Sequence, residues 1–242
     1  MASTSWAQSS GMIKYKETIK MDFDIQGPDG MDLSSMLPKS TSFYKELYFD
    51  KNQSIYLDAK NNESQDIEME SDDRSFQIVI QMDEAEEIFH VDLKEKVLTQ
   101  QTGFMGKDFL IVEELERPKW KLTGEKVKYL GYECLKAEMT IKATNEEKED
   151  QNIIAWFAPS IPVQLGPADY NQLPGAILML SENGDKREFQ ATEIHLDIDP
   201  SKKIIKPSKG KKVTSAELDI IIKAKEKELK EMHGEGIHIN NH

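Results

Sequence analysis

Cys134 is the only cysteine in this chain. A single thiol excludes an internal disulfide and any thiolate-based zinc site, and it fits an oxidising or a reducing compartment equally. No stretch approaches the roughly 18 uninterrupted apolar residues that a membrane-spanning helix requires. The opening MASTSWAQSSG lacks the positive charge and following apolar run of a secretory leader. Its WAQSS nonetheless resembles the seam left where a leader ending in a small residue is removed. Met1 to Thr4 then read as foreign to the mature chain, and residues 1–11 as a disordered N-terminus. Catalytic signatures are missing too: there is no Gly-x-Ser-x-Gly elbow, phosphate-binding loop, dinucleotide fingerprint or paired-histidine metalloprotease helix. Basic excess is also absent. A net charge of −13 repels nucleic-acid phosphates and anionic head groups, so the electrostatic footprint of a nucleic-acid binder is lacking.

The 242 residues suffice for one large β domain with a sizeable core. Charge is unevenly spread along them. Residues 1–201 hold 21 Lys/Arg against 38 Asp/Glu, whereas 202–232 hold ten lysines against five acids. An acidic body with a basic tail implies that the tail docks on its own body or on an equally acidic neighbour.

The pattern itself is β. Ile13, Tyr15, Ile19, Met21, Phe23 and Ile25 alternate with Lys14, Lys16, Thr18, Lys20, Asp22 and Asp24, which predicts a long strand with one buried face. Shorter runs follow at 42–49, 54–59, 75–82, 87–93, 96–100, 108–115, 118–122, 125–130, 132–143, 152–158, 175–182 and 187–198. Hairpin chemistry joins several of them, notably Leu130-Gly131 and Asn183-Gly184. Near the end the period changes. Thr214 with Glu217 forms a capping box, Val213 with Leu218 a hydrophobic staple, and Leu218, Ile221, Ile222, Leu229 and Met232 fall at helical spacing. We expect this amphipathic helix to lie against the sheet, with Gly234 as its C-terminal cap.

Candidate chemistry is sparse. His195, Asp197 and Asp199 share one strand face and are a possible metal set, although alternation with Ile194, Leu196 and Ile198 already explains their spacing. His233, Glu235, His238 and His242 are further ligand types in a tail after the helix. Cys134 has no nearby histidine to activate it and reads as packing. The segment Ile153 to Ser181 is different. In 29 residues it holds one charge, Asp169, where even spreading predicts about nine, and it holds Pro159, Pro162, Pro167 and Pro174. Roughly 15 of its residues must be irregular backbone, stiffened by proline, which marks either a binding surface or a plug over the core.

WKLTGEKVKYLGYECLKAEMTI, followed by AWFAPSIPVQLGPADYNQLPGAILML, resembles the GLPGLI family of secreted Bacteroidetes proteins. The name hexapeptide here reads Gln172-Leu173-Pro174-Gly175-Ala176-Ile177, with Gln172 standing for Gly and Ala176 for Leu. The resemblance spans roughly 107–198 and implies export, a β-rich periplasmic or outer-membrane-facing domain, and a TonB-dependent receptor as neighbour. It implies no catalytic residue.

The expected fold is therefore all-β. A single antiparallel meander over 12–201 forms a curved sheet or half-barrel, with the proline-rich loop and a basic linker and helix over 202–233 packed on it. Residues 234–242 read as a flexible tail. The expected function is non-enzymatic, without a cofactor. An apolar small molecule or an envelope protein would bind through Trp156, Phe157, Ile161, Val163, Leu165, Tyr170 and Leu173, with Pro174 and Gly175 forming a type II turn behind them. Metal handling and a hydrolase without a recognisable motif are the alternatives.

Overall fold

The computed structural model of the chain describes residues 10–21, 23–24, 34, 37–60, 67–70, 77–80, 86–143, 149–196, 198–233 and 238–239. The strands among them are β1 (Gly11–Lys20), β2 (Phe23–Asp24), β3 (Ser40–Phe49), β4 (Gln53–Asp58), β5 (Ile67–Glu70), β6 (Gln77–Ile80), β7 (Ile88–Asp92) and β8 (Val97–Phe104). They continue as β9 (Lys107–Glu114), β10 (Lys121–Tyr129), β11 (Tyr132–Ile141), β12 (Gln151–Ala158), β13 (Ala176–Glu182), β14 (Arg187–His195), β15 (Lys211–Val213) and β16 (His238–Ile239). The helix is α1 (Ser215–His233).

Twelve strands form one sheet in the order β10-β11-β12-β13-β14-β1-β3-β4-β7-β8-β9-β15, while β5 pairs β6 and β16 pairs β2. All ladders in the large sheet are antiparallel except that of β15, which adds in parallel to β9. The first strand lies mid-sheet, between β3 and β14, so the meander runs outward from β1 to one edge and then resumes at the other.

That resumption dictates the shape. Strands β9 and β10 lie ten spacings apart, about 48 Å across a flat sheet. Residues 115–120, which join them, span at most roughly 25 Å. The sheet must therefore curl until its edges approach. Tyr129 on β10 reaches over three strands in the same way, donating its hydroxyl to the Ala191 carbonyl on β14 at 2.7 Å. The curl stops short of a barrel. Both margins carry lysines (Lys121, Lys126 and Lys128 on β10; Lys211 and Lys212 on β15), a common guard against edge-to-edge pairing.

Residues paired across the ladders share a face. Leu180 faces Phe189, Phe189 faces Glu17, Leu47 faces Tyr56 and Tyr56 faces Phe89, and this interior face carries the main core with Ile13, Tyr15 and Val91. The hairpins form where residues tolerate positive φ: Leu130 (47°) with Gly131 (87°), and Asn183 (48°) with Gly184 (67°) and Asp185 (69°). The two runs expected at 118–122 and 125–130 are one strand, β10, interrupted by a bulge at Gly124 (φ 85°).

Helix α1 starts as its capping box requires. The Glu217 N–H donates to Thr214 Oγ1 (3.1 Å), and the Thr214 N–H donates to Glu217 Oε2 (2.8 Å). Leu218, Ile221 and Ile222 pack on Phe109, Ile111 and Val213. Ile111 faces Gln100 and Gln100 faces Phe89, so the helix covers the interior face at the β9 margin. On the outer face a smaller cluster of Met12, Tyr48 and Ile55 is covered by Ile198 and Ile204.

Candidate functional site

The proline-rich segment folds across the core between β12 and β13. Of its seven expected binding residues, Phe157 and Ile161 are 0% exposed and Val163, Leu165 and Leu173 are 1%. Trp156 and Tyr170 are half-buried. The loop is tied to itself by backbone bonds from Gln172 N to Gln164 O (2.8 Å) and from Ala176 N to Ile161 O (3.0 Å), and to β10's entry by Trp120 Nε1 donating to Asn171 O (3.0 Å). Gly166 lies so close to Ile177 that a Cβ would meet its Cδ1 at 2.7 Å. The loop is thus one of the covers that the non-alternating strand β13 requires, while α1 packs at β9.

The turn differs from expectation. Gly175 is not in the left-handed region that a type II turn assigns to it. Instead the Gly175 N–H donates to Leu173 O (2.8 Å), closing a three-residue turn on Pro174, and the glycine is needed for space, since a Cβ there would stand 2.3 Å from Ala158 O. The positive φ belongs to Gln172, at 65°.

Beside this loop lies a layer of charge that the sequence reading missed. Glu17 occupies the buried phase of β1, between Tyr15 and Ile19, and is 0% exposed. Both Nε and Nη2 of Arg187 reach its Oε1 at 2.5 Å, and Tyr56 donates its hydroxyl to Oε2 at 3.1 Å. Glu87 Oε2 is 3.7 Å from Arg187 Nη2. Glu182, which faces Arg187 across the β13–β14 hairpin, accepts the Tyr170 hydroxyl at 2.9 Å. The Arg187 guanidinium also stacks on Phe189, 4.8 Å from the ring centre. Further along the same face Lys45, 1% exposed, pairs with Asp58 at 2.7 Å. The traces of this layer were an acid in the apolar phase of the first strand and one of the chain's three arginines just beyond the Asn-Gly turn.

Low polarity governs its electrostatics. Burial raises the pKa of Glu87 and of Glu182, and the Arg187 charge opposes the rise in each. Burial likewise pushes the Tyr15, Tyr56 and Tyr170 hydroxyls up, so all three stay neutral donors. Arg187 is held charged: Glu17, Glu182 and Glu87 outweigh the burial that opposes its charge. Aromatic rings connect this layer to the loop, with Tyr15–Tyr56, Tyr56–Phe189, Phe189–Tyr170 and Tyr170–Trp120 centroids 6.0 to 6.4 Å apart.

The remaining candidates lie elsewhere. His195 Nε2 contacts Glu193 Oε2 at 3.1 Å, and Asp199 accepts the Ser201 N–H at 3.0 Å. Asp197, Gly234, Glu235 and His242 lie outside the described residues. Among the described residues no group of three or more His, Cys, Asp or Glu is placed to hold a metal. Cys134 is 0% exposed and packs in the main core, where burial raises its pKa. The backbone of His238 and Ile239 pairs with β2.

A curled, open, mostly β sheet carrying a loop plug and one helix is the class of structure these elements define. In that fold the chain is similar to two solved structures of PNGF-II, in space groups P21 and C2. The first has 16% identity and a TM-score of 0.54 over 89% of this chain and 34% of that one; the second has 15% and 0.51 over 87% and 32%. The chain thus spans about a third of PNGF-II's length. Residues 141–179 match the model of a family described as a protein of unknown function (Porph_ging). No curated protein matches the chain. Among the described residues no helix is long and apolar enough to cross a membrane.

Proposed function

We propose that this chain is a non-enzymatic binding protein of the cell envelope, periplasmic or associated with the outer membrane. It takes an apolar small molecule or a partner protein against the segment 153–181. One observation carries the reading. While five of the seven expected residues are withdrawn into the core, Tyr170 stays half-buried, braced between Trp120 and Phe189 and hydrogen-bonded to Glu182. Rigid aromatic rings with one polar tip, held on a stiff loop, bind apolar partners at little ordering cost. Trp156, half-buried on β12, is the segment's other accessible aromatic group. The match to a family of unknown function takes in residues 153–179 of this segment, and the resemblance to the GLPGLI family includes them. That resemblance makes a TonB-dependent receptor the first partner to test.

Native mass spectrometry of the protein purified from its own envelope tests the proposal. A retained lipid, peptide or receptor is expected, and Trp156→Ala with Tyr170→Ala should release it while far-UV circular dichroism stays unchanged. Recovery of the bare chain alone, with no quenching of tryptophan fluorescence by added lipid or receptor, would overturn the reading.

A further inference from the structure

We propose that residues 202–212 form a docking strip for the surface of an anionic phospholipid bilayer. The inference is independent of the apolar binding segment. The stretch KKIIKPSKGKK holds six lysines and no acidic residue, in a chain whose first 201 residues carry a large acidic excess. A basic tail can be neutralised by folding onto an acidic body, and here most of it is not. Lys209 pairs with Asp108 at 2.8 Å, and Lys203 stands over the Tyr48 ring at 5.3 Å. Among the described residues Lys202, Lys206, Lys211 and Lys212 find no ion pair, and all four are exposed.

The strip is also held rigid. The N–H groups of Lys203 and Ile204 donate to Pro200 O at 2.8 and 3.1 Å, turning the chain as it leaves β14. Ile204 is the inward anchor, packed on the Met12–Tyr48–Ile55 cluster. Further on, the Lys209 N–H donates to Gln101 Oε1 (3.3 Å), and Lys211–Val213 joins the sheet as β15. Between these ties Gly210, at φ 116°, lies so close to β9 that a Cβ would meet the Asp108 and Phe109 backbone at 2.8 Å. A strap pinned at both ends presents its lysines with little ordering left to do on binding.

Ile205 selects the partner. It is 67% exposed at the centre of the strip, with lysines on both sides, while its neighbour Ile204 turns inward. A bilayer interface offers phosphates to the lysines and an acyl boundary to the aliphatic side chain within one layer, whereas nucleic-acid backbone offers only the first. The chain's net charge of −13 does not forbid the contact. At physiological salt the screening length is about 8 Å, so the acidic remainder is largely hidden from a surface touching the strip.

The test is co-sedimentation of the full chain with vesicles of pure phosphatidylcholine or of phosphatidylcholine with phosphatidylglycerol, at low and at physiological salt. Binding is expected only to the anionic vesicles and should weaken with salt. Replacing Lys202, Lys206, Lys211 and Lys212 by alanine should weaken it by about five-fold per lysine, and replacing the same four by arginine should preserve it. Ile205→Ser should cost roughly a further five-fold without altering the salt dependence. Equal binding to both vesicles, no binding to either at low salt, or an unchanged alanine variant would overturn the proposal. So would salt-sensitive self-association that the alanine variant abolishes, because the strip's occupant would then be an acidic protein surface. Should the alanine variant fail to fold, the arginine variant and Ile205→Ser still decide.

Discussion

Replacing Arg187 by methionine should be among the most damaging single changes in this chain. Methionine keeps much of the side chain's bulk and can still lie against Phe189, so the perturbation is chiefly the loss of charge and of the guanidinium donors to Glu17 Oε1. What remains is a carboxylate with no exposure, left among the described residues with the neutral Tyr56 hydroxyl on its other oxygen. Removing one member of a buried ion pair costs about 3–5 kcal/mol, because the survivor is left uncompensated. For a chain of this size that is a fall in Tm of roughly 6–20 °C. Urea unfolding followed by tryptophan fluorescence measures the loss at pH 7 and again at pH 5. At the lower pH the deficit should shrink, since Glu87 and Glu182, which burial pushes up and the Arg187 charge holds down, can take up protons once that cation is gone. The double variant Glu17→Gln/Arg187→Met should regain a large part of the stability, because an amide needs no counter-charge. A deficit below about 1 kcal/mol, a deficit independent of pH, or a double variant no better than the single one would refute the ion pair as the centre of this layer.

The native chain has its own pH signature. Glu87 and Glu182 have folded pKa values above their ordinary 4.5, so over the window from 4.5 upward the folded state holds more protons than the unfolded chain, and their contribution to stability falls as pH rises. Glu87→Gln should flatten that decline in urea midpoints taken between pH 5 and 7, and equal slopes in both proteins would contradict the assignment. Gly175→Ala drives a methyl group into the Ala158 carbonyl and should cost about 3 kcal/mol or more in thermal unfolding; a near-neutral result would mean the loop can back away from β12. Gln172→Gly relieves a left-handed residue at φ 65° and should stabilise by up to about 1 kcal/mol, less the weak 3.3 Å bond from Gln172 Nε2 to Glu116 O. Destabilisation there would show that the side-chain bond outweighs the backbone strain.

Much of the architecture follows from local rules that a sequence exposes. Alternation set the face of β1, positive-φ residues set the 130–131 and 183–185 hairpins, and Thr214 with Glu217 set the start of α1. These signals involve residues a few positions apart, so no distant partner is needed to read them. The long stretch with a single charge likewise announced a loop that could not be solvated, and it is folded over the core.

What tertiary structure alone decided is where distant pieces meet. Placing β1 mid-sheet and rejoining β9 to β10 by six residues forces the curl, a property of strand order that no local pattern carries. The curl turns Glu17, Glu87, Glu182 and Arg187, spread over 171 positions, into one layer around the fully buried Glu17. Read alone, each is an ordinary charged residue; only a shared low-dielectric interior makes their pairing costly to break. The turn shows the same division. Composition marked Pro174-Gly175 as a reversal, but the reason for the glycine is the backbone of Ala158, seventeen residues away in sequence and in contact only once β12 and β13 pair.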